Sequence, residues 1–221
     1  MTPPPALLLL AAVVALAAPA FEPVHAQVSS SQHDRLFPPQ DLGLLEGPDR
    51  ATWQKPDQIM DVLNIADGSH VADIGAGAGW FTMQLARRVG PRGIVYARDI
   101  QPEMVSGLRR RVSREGLRNV DAQRGTDNLP ANSLDAVLVV DTYQEVEEGE
   151  RVAFLRNLSR ALKPSGRIGI VNFKPGRGGP GPEPQRRVES AVVEANARAA
   201  GLQIAGREIL QYQYLLVLGK K

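Results

Sequence analysis

The sequence predicts an α/β fold: a doubly wound, mostly parallel seven-stranded sheet with one antiparallel strand near its edge. Three observations carry that prediction. From residue 57 onward, short apolar runs alternate with segments of helical period, a pattern that demands crossover connections and helices on both faces of a sheet. The run Leu134 to Val140 (LDAVLVV) is apolar on both of its faces, as a central parallel strand must be. Only Gln211, Tyr212 and Gln213 separate the last two strands, too few for a crossover, so that final pair is antiparallel.

The elements follow in order. Residues 27–56 are polar and rich in turn formers (Pro38-Pro39, Gly47-Pro48, Pro56) and read as an irregular arm. Asp57 to Leu63 places Ile59, Val62 and Leu63 at helical spacing. After the Asp67-Gly68 turn, His70 to Ile74 reads as a short buried strand. Trp80 to Val89 reads as a helix with Phe81, Leu85 and Val89 on one stripe, closed by Gly90-Pro91. Ile94 to Ala97 is the second strand. Gln101 to Glu115 is the second long helix, with Met104, Leu108 and Val112 on one face and Gly116 at its end. Val120 to Gln123 and Leu134 to Val140 are strands three and four. Arg151 to Leu162 is helical up to the Lys163-Pro164-Ser165-Gly166 turn, and Arg167 to Phe173 is strand five. In residues 175–184, eight of ten are Gly or Pro, which predicts a loop. Gln185 to Ala200 reads as a helix, and Ile204 to Leu210 with Tyr214 to Leu218 as the closing strands.

Composition narrows the chemistry. The 221 residues include no cysteine, which excludes thiolate metal sites and cysteine nucleophiles. Three histidines, two of them before residue 40, leave little material for a histidine-rich metal cluster, and no metal is expected. The net charge of +2 is too small to predict nucleic-acid binding. Residues 6–18 form an apolar run of 13, short of the roughly 20 that span a membrane but the length of a signal-peptide core. Val24-His25-Ala26 supplies small residues where a signal peptidase reads. The expected organisation is a signal peptide over 1–26 cleaved before Gln27, an arm over 27–56 and a catalytic domain over 57–221. The mature protein would be periplasmic or secreted without stable membrane insertion, or cytoplasmic if the signal is not used.

The informative stretch is Val71-Ala72-Asp73-Ile74-Gly75-Ala76-Gly77-Ala78-Gly79-Trp80, at the end of the first strand and the start of a helix. In such sheets ligands bind outside the carboxyl ends of the strands, where strand order reverses. Glycines there let main chain approach a ligand closely. Asp99 closes the second strand 20 residues after Gly79, where a carboxylate can accept both ribose hydroxyls of a nucleoside. A dinucleotide fingerprint would need glycine at the position held by Trp80, which would crowd a pyrophosphate off the helix terminus.

The spacing G-x-G-x-G preceded by Asp73 instead resembles motif I of class I S-adenosylmethionine-dependent methyltransferases. Val95 to Ile100 looks like that family's second-strand acidic motif. Gly125-Thr126-Asp127 through Leu129-Pro130, then Ser133-Leu134-Asp135, looks like its third-strand loop and the start of strand four. Leu162 to Arg167 resembles its turn before strand five. These motifs run in order over about residues 57–173. The resemblance implies a Rossmann-like methyltransferase fold, of a small-molecule type found in an exported bacterial subgroup. It implies S-adenosylmethionine held by Asp73, Gly75, Ala76, Gly77, Gly79, Asp99, Ile100, Asp127 and Asp141. Asp99 would hold the ribose and Asp127 the adenine amino group. Asp135 reads as a residue at the start of strand four rather than a ligand.

Methyl transfer from a sulfonium needs alignment and the exclusion of water more than a reactive side chain. Candidate catalytic groups are Asp141, Tyr143 and Glu145, after strand four. Glutamine at 144 cannot act as a base. Trp53, Tyr143, Lys174 and Arg177 are expected on the substrate side, with the 175–184 loop as a rim or lid. The Arg109-Arg110-Arg111 run with Arg114 reads as the solvated face of a helix. The expected partner is a small-molecule acceptor. Two other readings stay open: a protein that binds S-adenosylmethionine without catalysis, and an NAD(P)-dependent oxidoreductase.

Overall fold

A computed structural model describes residues 47–126, 128–176 and 178–221. The expected signal peptide, its cleavage before Gln27 and most of the arm lie outside these residues, as do Asp127 and Arg177. Six α-helices and seven strands are described. The helices are α1 (Arg50–Gln54), α2 (Pro56–Val62), α3 (Trp80–Val89), α4 (Pro102–Arg114), α5 (Arg151–Ala161) and α6 (Ser190–Ala199). The strands are β1 (His70–Ile74), β2 (Ile94–Asp99), β3 (Val120–Arg124), β4 (Leu134–Val140), β5 (Leu162–Phe173), β6 (Leu202–Ile209) and β7 (Gln213–Lys220). Among the described residues, no helix is long and apolar enough to cross a membrane.

The seven strands form one sheet in the order β3-β2-β1-β4-β5-β7-β6. β1 pairs in parallel with both β2 and β4, so strand order reverses there. β7 is antiparallel to both its neighbours, which makes it the one reversed strand, second from the edge. The predicted α/β architecture therefore holds in detail. Its physical origin is burial on both sides of the sheet. Ala72, Ile74, Val137 and Ile170 pack with Leu155, Leu158 and Val193 on one face. Val71, Ala136, Leu138 and Val171 pack with Ile59, Phe81 and Leu85 on the other.

Three expectations need correction. The arm is not wholly irregular, because residues 50–54 form α1. That helix ends at Lys55, whose left-handed φ of 54° turns the chain into Pro56 and α2. β5 begins at Leu162, five residues before the predicted start, since Leu162 already pairs with Leu134 ahead of a register shift. The helix expected from Gln185 begins only at Ser190. Tertiary contacts hold its predicted first turns in another conformation. The Val188 carbonyl accepts the Tyr214 hydroxyl at 2.7 Å, and the Arg187 guanidinium bonds the carbonyls of Lys174, Gly176, Gly178 and Pro182.

Candidate active site

The carboxyl ends of β1, β2 and β4 lie side by side, and the glycine loop leaves β1 between them. Its course is set by one carbonyl: the Arg98 oxygen accepts the amides of Gly75 (2.8 Å) and Ala76 (3.0 Å). Gly75 has φ +73°, and a Cβ there would stand 2.1 Å from the Thr142 hydroxyl oxygen, so only glycine lets the loop pass the β4 terminus. Gly77 has φ +54°, and a Cβ there would meet nothing within 4 Å. Main chain at Gly77 thus borders open space, the cradle that a ligand would fill. Gly79 begins α3.

Asp99 faces that cradle from the end of β2 and is 7% exposed. Its two oxygens are aimed by backbone donors: Oδ2 accepts the Gly77 amide at 2.8 Å and Oδ1 the Gln101 amide at 2.9 Å. Burial pushes its carboxyl above the ordinary value, while the amides of Gln101, Gly77 and Ile100 pull the other way. A carboxylate offers about four acceptor positions, so these amides leave acceptor capacity for a ribose hydroxyl. The residues present therefore fit an adenosyl ligand: an oriented acceptor for ribose beside glycine main chain that borders open space among the described residues.

Asp73 lies deeper, 2% exposed, and accepts the Thr82 hydroxyl from α3 at 2.6 Å. Burial raises its carboxyl from 3.8 to about 6; the Thr82 hydroxyl opposes this, Asp99 adds to it and Arg50 opposes it. A native value above the unfolded one means that the folded state holds the proton between about pH 4 and 6, so stability falls as pH rises through that window. The shift corresponds to on the order of 3 kcal/mol at neutral pH. Asp73→Asn keeps the shape and the Thr82 bond. It is expected to raise the melting temperature by several degrees at pH 8 and not at pH 4, as thermal unfolding at the two pH values would record. An equal gain at both would show that burial of the charge is not the cause.

Asp141 closes β4 with a left-handed φ of 52°. Its carboxylate is held from two sides, by Gln213 Nε2 at 2.6 Å and Gln54 Nε2 at 3.2 Å, and Gln54 also donates to Gln213 Oε1 at 3.0 Å. Burial raises this carboxyl to about 6, against the pull of Arg50, Gln54 and Gln213. Arg50 binds Gln54 Oε1 through Nε at 2.5 Å and lies 4.3 Å over the Trp80 ring, so a cation borders both raised carboxylates. The arm helix α1 thereby joins the site through Gln54 and Arg50. Trp53, on the same helix, meets Phe173 (5.8 Å between ring centroids) and Tyr212 (6.0 Å). The Gly/Pro loop after β5 lies directly on two of these rings, at Gly179 against Tyr212 and Gly181 against Phe173.

Not every expected site residue joins this group. Tyr143 is fully buried in the core, its hydroxyl accepting from Asn196 at 3.0 Å, which removes it from the substrate side and from the catalytic candidates. Glu145 is held by Arg186 through both carboxylate oxygens, at 2.9 and 2.8 Å. Lys174 spends its ammonium on the Leu210 carbonyl at 3.0 Å and so braces the β6–β7 turn instead of reaching the cradle. Ile100 contributes main chain: its carbonyl accepts Arg124 Nε at 3.1 Å. Asp135 lies at the opposite rim, accepting the His70 amide and the Lys163 ammonium. Burial would raise its carboxyl, but Lys163 and His70 hold it below the ordinary range. Sequence reasoning missed Gln54, Thr82 and Gln213. A lone glutamine or threonine carries no motif, and Gln54 and Gln213 are 159 positions apart.

Residues 71–166 match the family model described as a methyltransferase domain. That segment is similar to a methyltransferase domain. The match takes in the glycine loop, Asp99, Asp141 and the β4–β5 crossover, the segment that builds most of the cradle. Outside it lie α1, β6 and β7, which supply Gln54 and Gln213. Over 123 residues the chain is 32% identical to the ubiquinone/menaquinone biosynthesis C-methyltransferase of Pasteurella multocida, covering 52% of this chain and 43% of that one. It is 32% identical over 120 residues to the aklanonic acid methyltransferase of Streptomyces sp. strain C5, covering 52% and 53%. The chain thus spans about half the length of these curated relatives. A crystal structure of an S-adenosylmethionine-dependent methyltransferase from Aquifex aeolicus superposes with a TM-score of 0.77 at 29% identity, covering 83% of this chain and 98% of that one. The similarity in architecture to that structure thus extends beyond the segment that the family model matches.

Proposed function

We propose that this chain binds S-adenosylmethionine at the carboxyl rim of β1, β2 and β4 and methylates a small-molecule acceptor. The observation that carries the reading is Asp99, its two oxygens aimed by the Gly77 and Gln101 amides beside main chain that borders open space. When bound, the cofactor supplies a methyl group already activated on a sulfonium. The chain's own residues then have three tasks. Asp99 holds the ribose. Arg50, beside Asp73 and Asp141, offers a cation to the carboxylate of the amino-acid part, while Asp73 and Asp141 favour its ammonium. Asp141 is the group that takes a proton if the acceptor must lose one. A carboxylate raised to about 6 is ionised at neutral pH yet basic enough to share a proton in transfer.

The acceptor side is supported by the ring cluster Trp53, Phe173 and Tyr212, roofed by the Gly179–Gly181 main chain. Such a wall favours a flat, largely apolar acceptor. The two relatives, whose names refer to quinone biosynthesis and to aklanonic acid, agree with that preference.

Calorimetry on the purified chain with S-adenosylhomocysteine and with NAD tests the cofactor assignment. The expected result is binding of S-adenosylhomocysteine and none of NAD at the same concentrations. Binding of NAD alone would overturn it.

A further inference from the structure

We propose that Gln54 and Gln213 are positioning residues for Asp141: two neutral amides, from α1 and β7, aim its carboxylate and keep it able to accept a proton at neutral pH. The inference rests on the reading above that gives Asp141 the proton. Both glutamines lie outside the segment 71–166 that the family model matches.

Gln54 and Gln213 are each 0% exposed, although a buried amide gains nothing over an apolar side chain unless it is bonded. The direction of both amides is fixed. An arginine can only donate, so Arg50 Nε holds the oxygen of Gln54 and turns its nitrogen toward Asp141. That nitrogen serves two acceptors, Asp141 Oδ2 at 3.2 Å and Gln213 Oε1 at 3.0 Å. With its oxygen engaged, Gln213 presents its nitrogen to Asp141 Oδ1 at 2.6 Å. Hydrogen bonds thus run in one direction, from Arg50 to Asp141, and one amide meets each carboxylate oxygen. The backbone is held as well. The Asp141 amide donates to the Val171 carbonyl at 2.9 Å, and φ is +52°, a conformation that persists where the surroundings over-determine it.

A lysine or arginine in place of either glutamine could also hold the carboxylate. Its charge would draw the carboxyl below the ordinary range and leave a poor base. Amides donate without adding charge. The charged groups around Asp141 are otherwise engaged. Arg50 of α1 acts on it and also on Asp73 of β1. Lys174, after β5, is spent on the Leu210 carbonyl, and Glu145, after β4, is paired with Arg186. Burial raises the Asp141 carboxyl, and Arg50 with the two amides holds it at about 6. Without the amides it would move toward neutrality, where much of the protein would already carry the proton. The same two elements carry the ring wall: Trp53 precedes Gln54, Tyr212 precedes Gln213, and Phe173 is the β5 partner of Gln213. The clamp therefore also sets the carboxylate relative to that wall.

The test is a carbon NMR titration of the full chain labelled at its aspartate carboxyls, with Asp141→Asn to identify the Asp141 signal. The wild-type midpoint is expected at about 6. Methionine resembles glutamine in length and lacks the amide, so Gln213→Met fills the space and removes one donor. It is expected to raise the Asp141 midpoint by about one pH unit, a tenfold gain in proton affinity. Gln54→Met is expected to raise it too, and it decides the matter if Gln213→Met does not fold. Lys163→Met breaks an ion pair at the opposite rim; it is expected to lower the melting temperature and leave the Asp141 midpoint in place. A midpoint unchanged in a folded Gln213→Met, or in Gln54→Met where Gln213→Met does not fold, overturns the inference. So does a wild-type midpoint at the ordinary 3.8 or above neutral pH. The titration uses no ligand, so its failure is distinct from failure of the cofactor reading, which calorimetry with S-adenosylhomocysteine decides.

Discussion

Asp99→Ala is expected to weaken binding of S-adenosylhomocysteine by roughly 100- to 1000-fold while the protein stays folded. Asp99 keeps acceptor capacity beyond its hydrogen bonds from the Gly77 and Gln101 amides. Two hydrogen bonds from ribose to an ionised carboxylate contribute about 3–4 kcal/mol together, and about 1.4 kcal/mol is one decade of affinity. Stability should change less, because two effects oppose. Removing the carboxylate leaves the Gly77 and Gln101 amides without that acceptor, at about 1–3 kcal/mol. It also removes a charge that burial disfavours, as its raised carboxyl records. Calorimetry paired with thermal unfolding separates the two quantities. Affinity within threefold of the wild type would mean that Asp99 does not hold the ligand.

The second large effect is on folding. Gly75→Ala is expected to lower stability by about 2–5 kcal/mol, a large part of the 5–15 kcal/mol typical of a domain. A Cβ would stand 2.1 Å from Thr142 Oγ1, 2.4 Å from its Cγ2 and 2.7 Å from its Cβ. Overpacking of that kind costs about 1–3 kcal/mol, and the left-handed φ of +73° adds about 1–2 kcal/mol for any residue with a Cβ. The two parts can be separated. Thr142→Gly in the Gly75→Ala background removes all three obstructing atoms and should recover the packing part only. Urea unfolding of the single and double variants reads this directly, and no recovery in the double variant would refute the steric account. Gly77→Ala makes the contrast, since its added carbon meets nothing and only the backbone part is lost.

The cofactor half of the site was legible because its signals are local. Gly75 to Gly79 is one turn, and Asp99 follows at a spacing set by one helix and one strand. A short connection forces the geometry, so residue type and spacing carry the information. The helix predicted from Gln185 failed for the opposite reason. Its composition suits a helix, but Arg187 and Val188 are claimed by the loop carbonyls and by Tyr214, contacts that no local pattern announces. Tyr143 and Glu145 were placed by their position after β4, and the structure turns one into the core and pairs the other with Arg186. An element's end says where a residue stands, not which way its side chain leaves.

The chain's own pattern determined the alternation of strands and helices, the reversed last strand and the glycine turn beside an acidic strand end, because each depends on periodicity or on a connection of a few residues. Only the tertiary structure decided that Gln54 from the arm and Gln213 from β7 grip Asp141. Those meetings depend on the order β3-β2-β1-β4-β5-β7-β6, which brings β7 beside β5 and the arm across their ends. Contacts between residues more than 150 positions apart are settled by the packing of the whole sheet, which no local stretch of chain encodes.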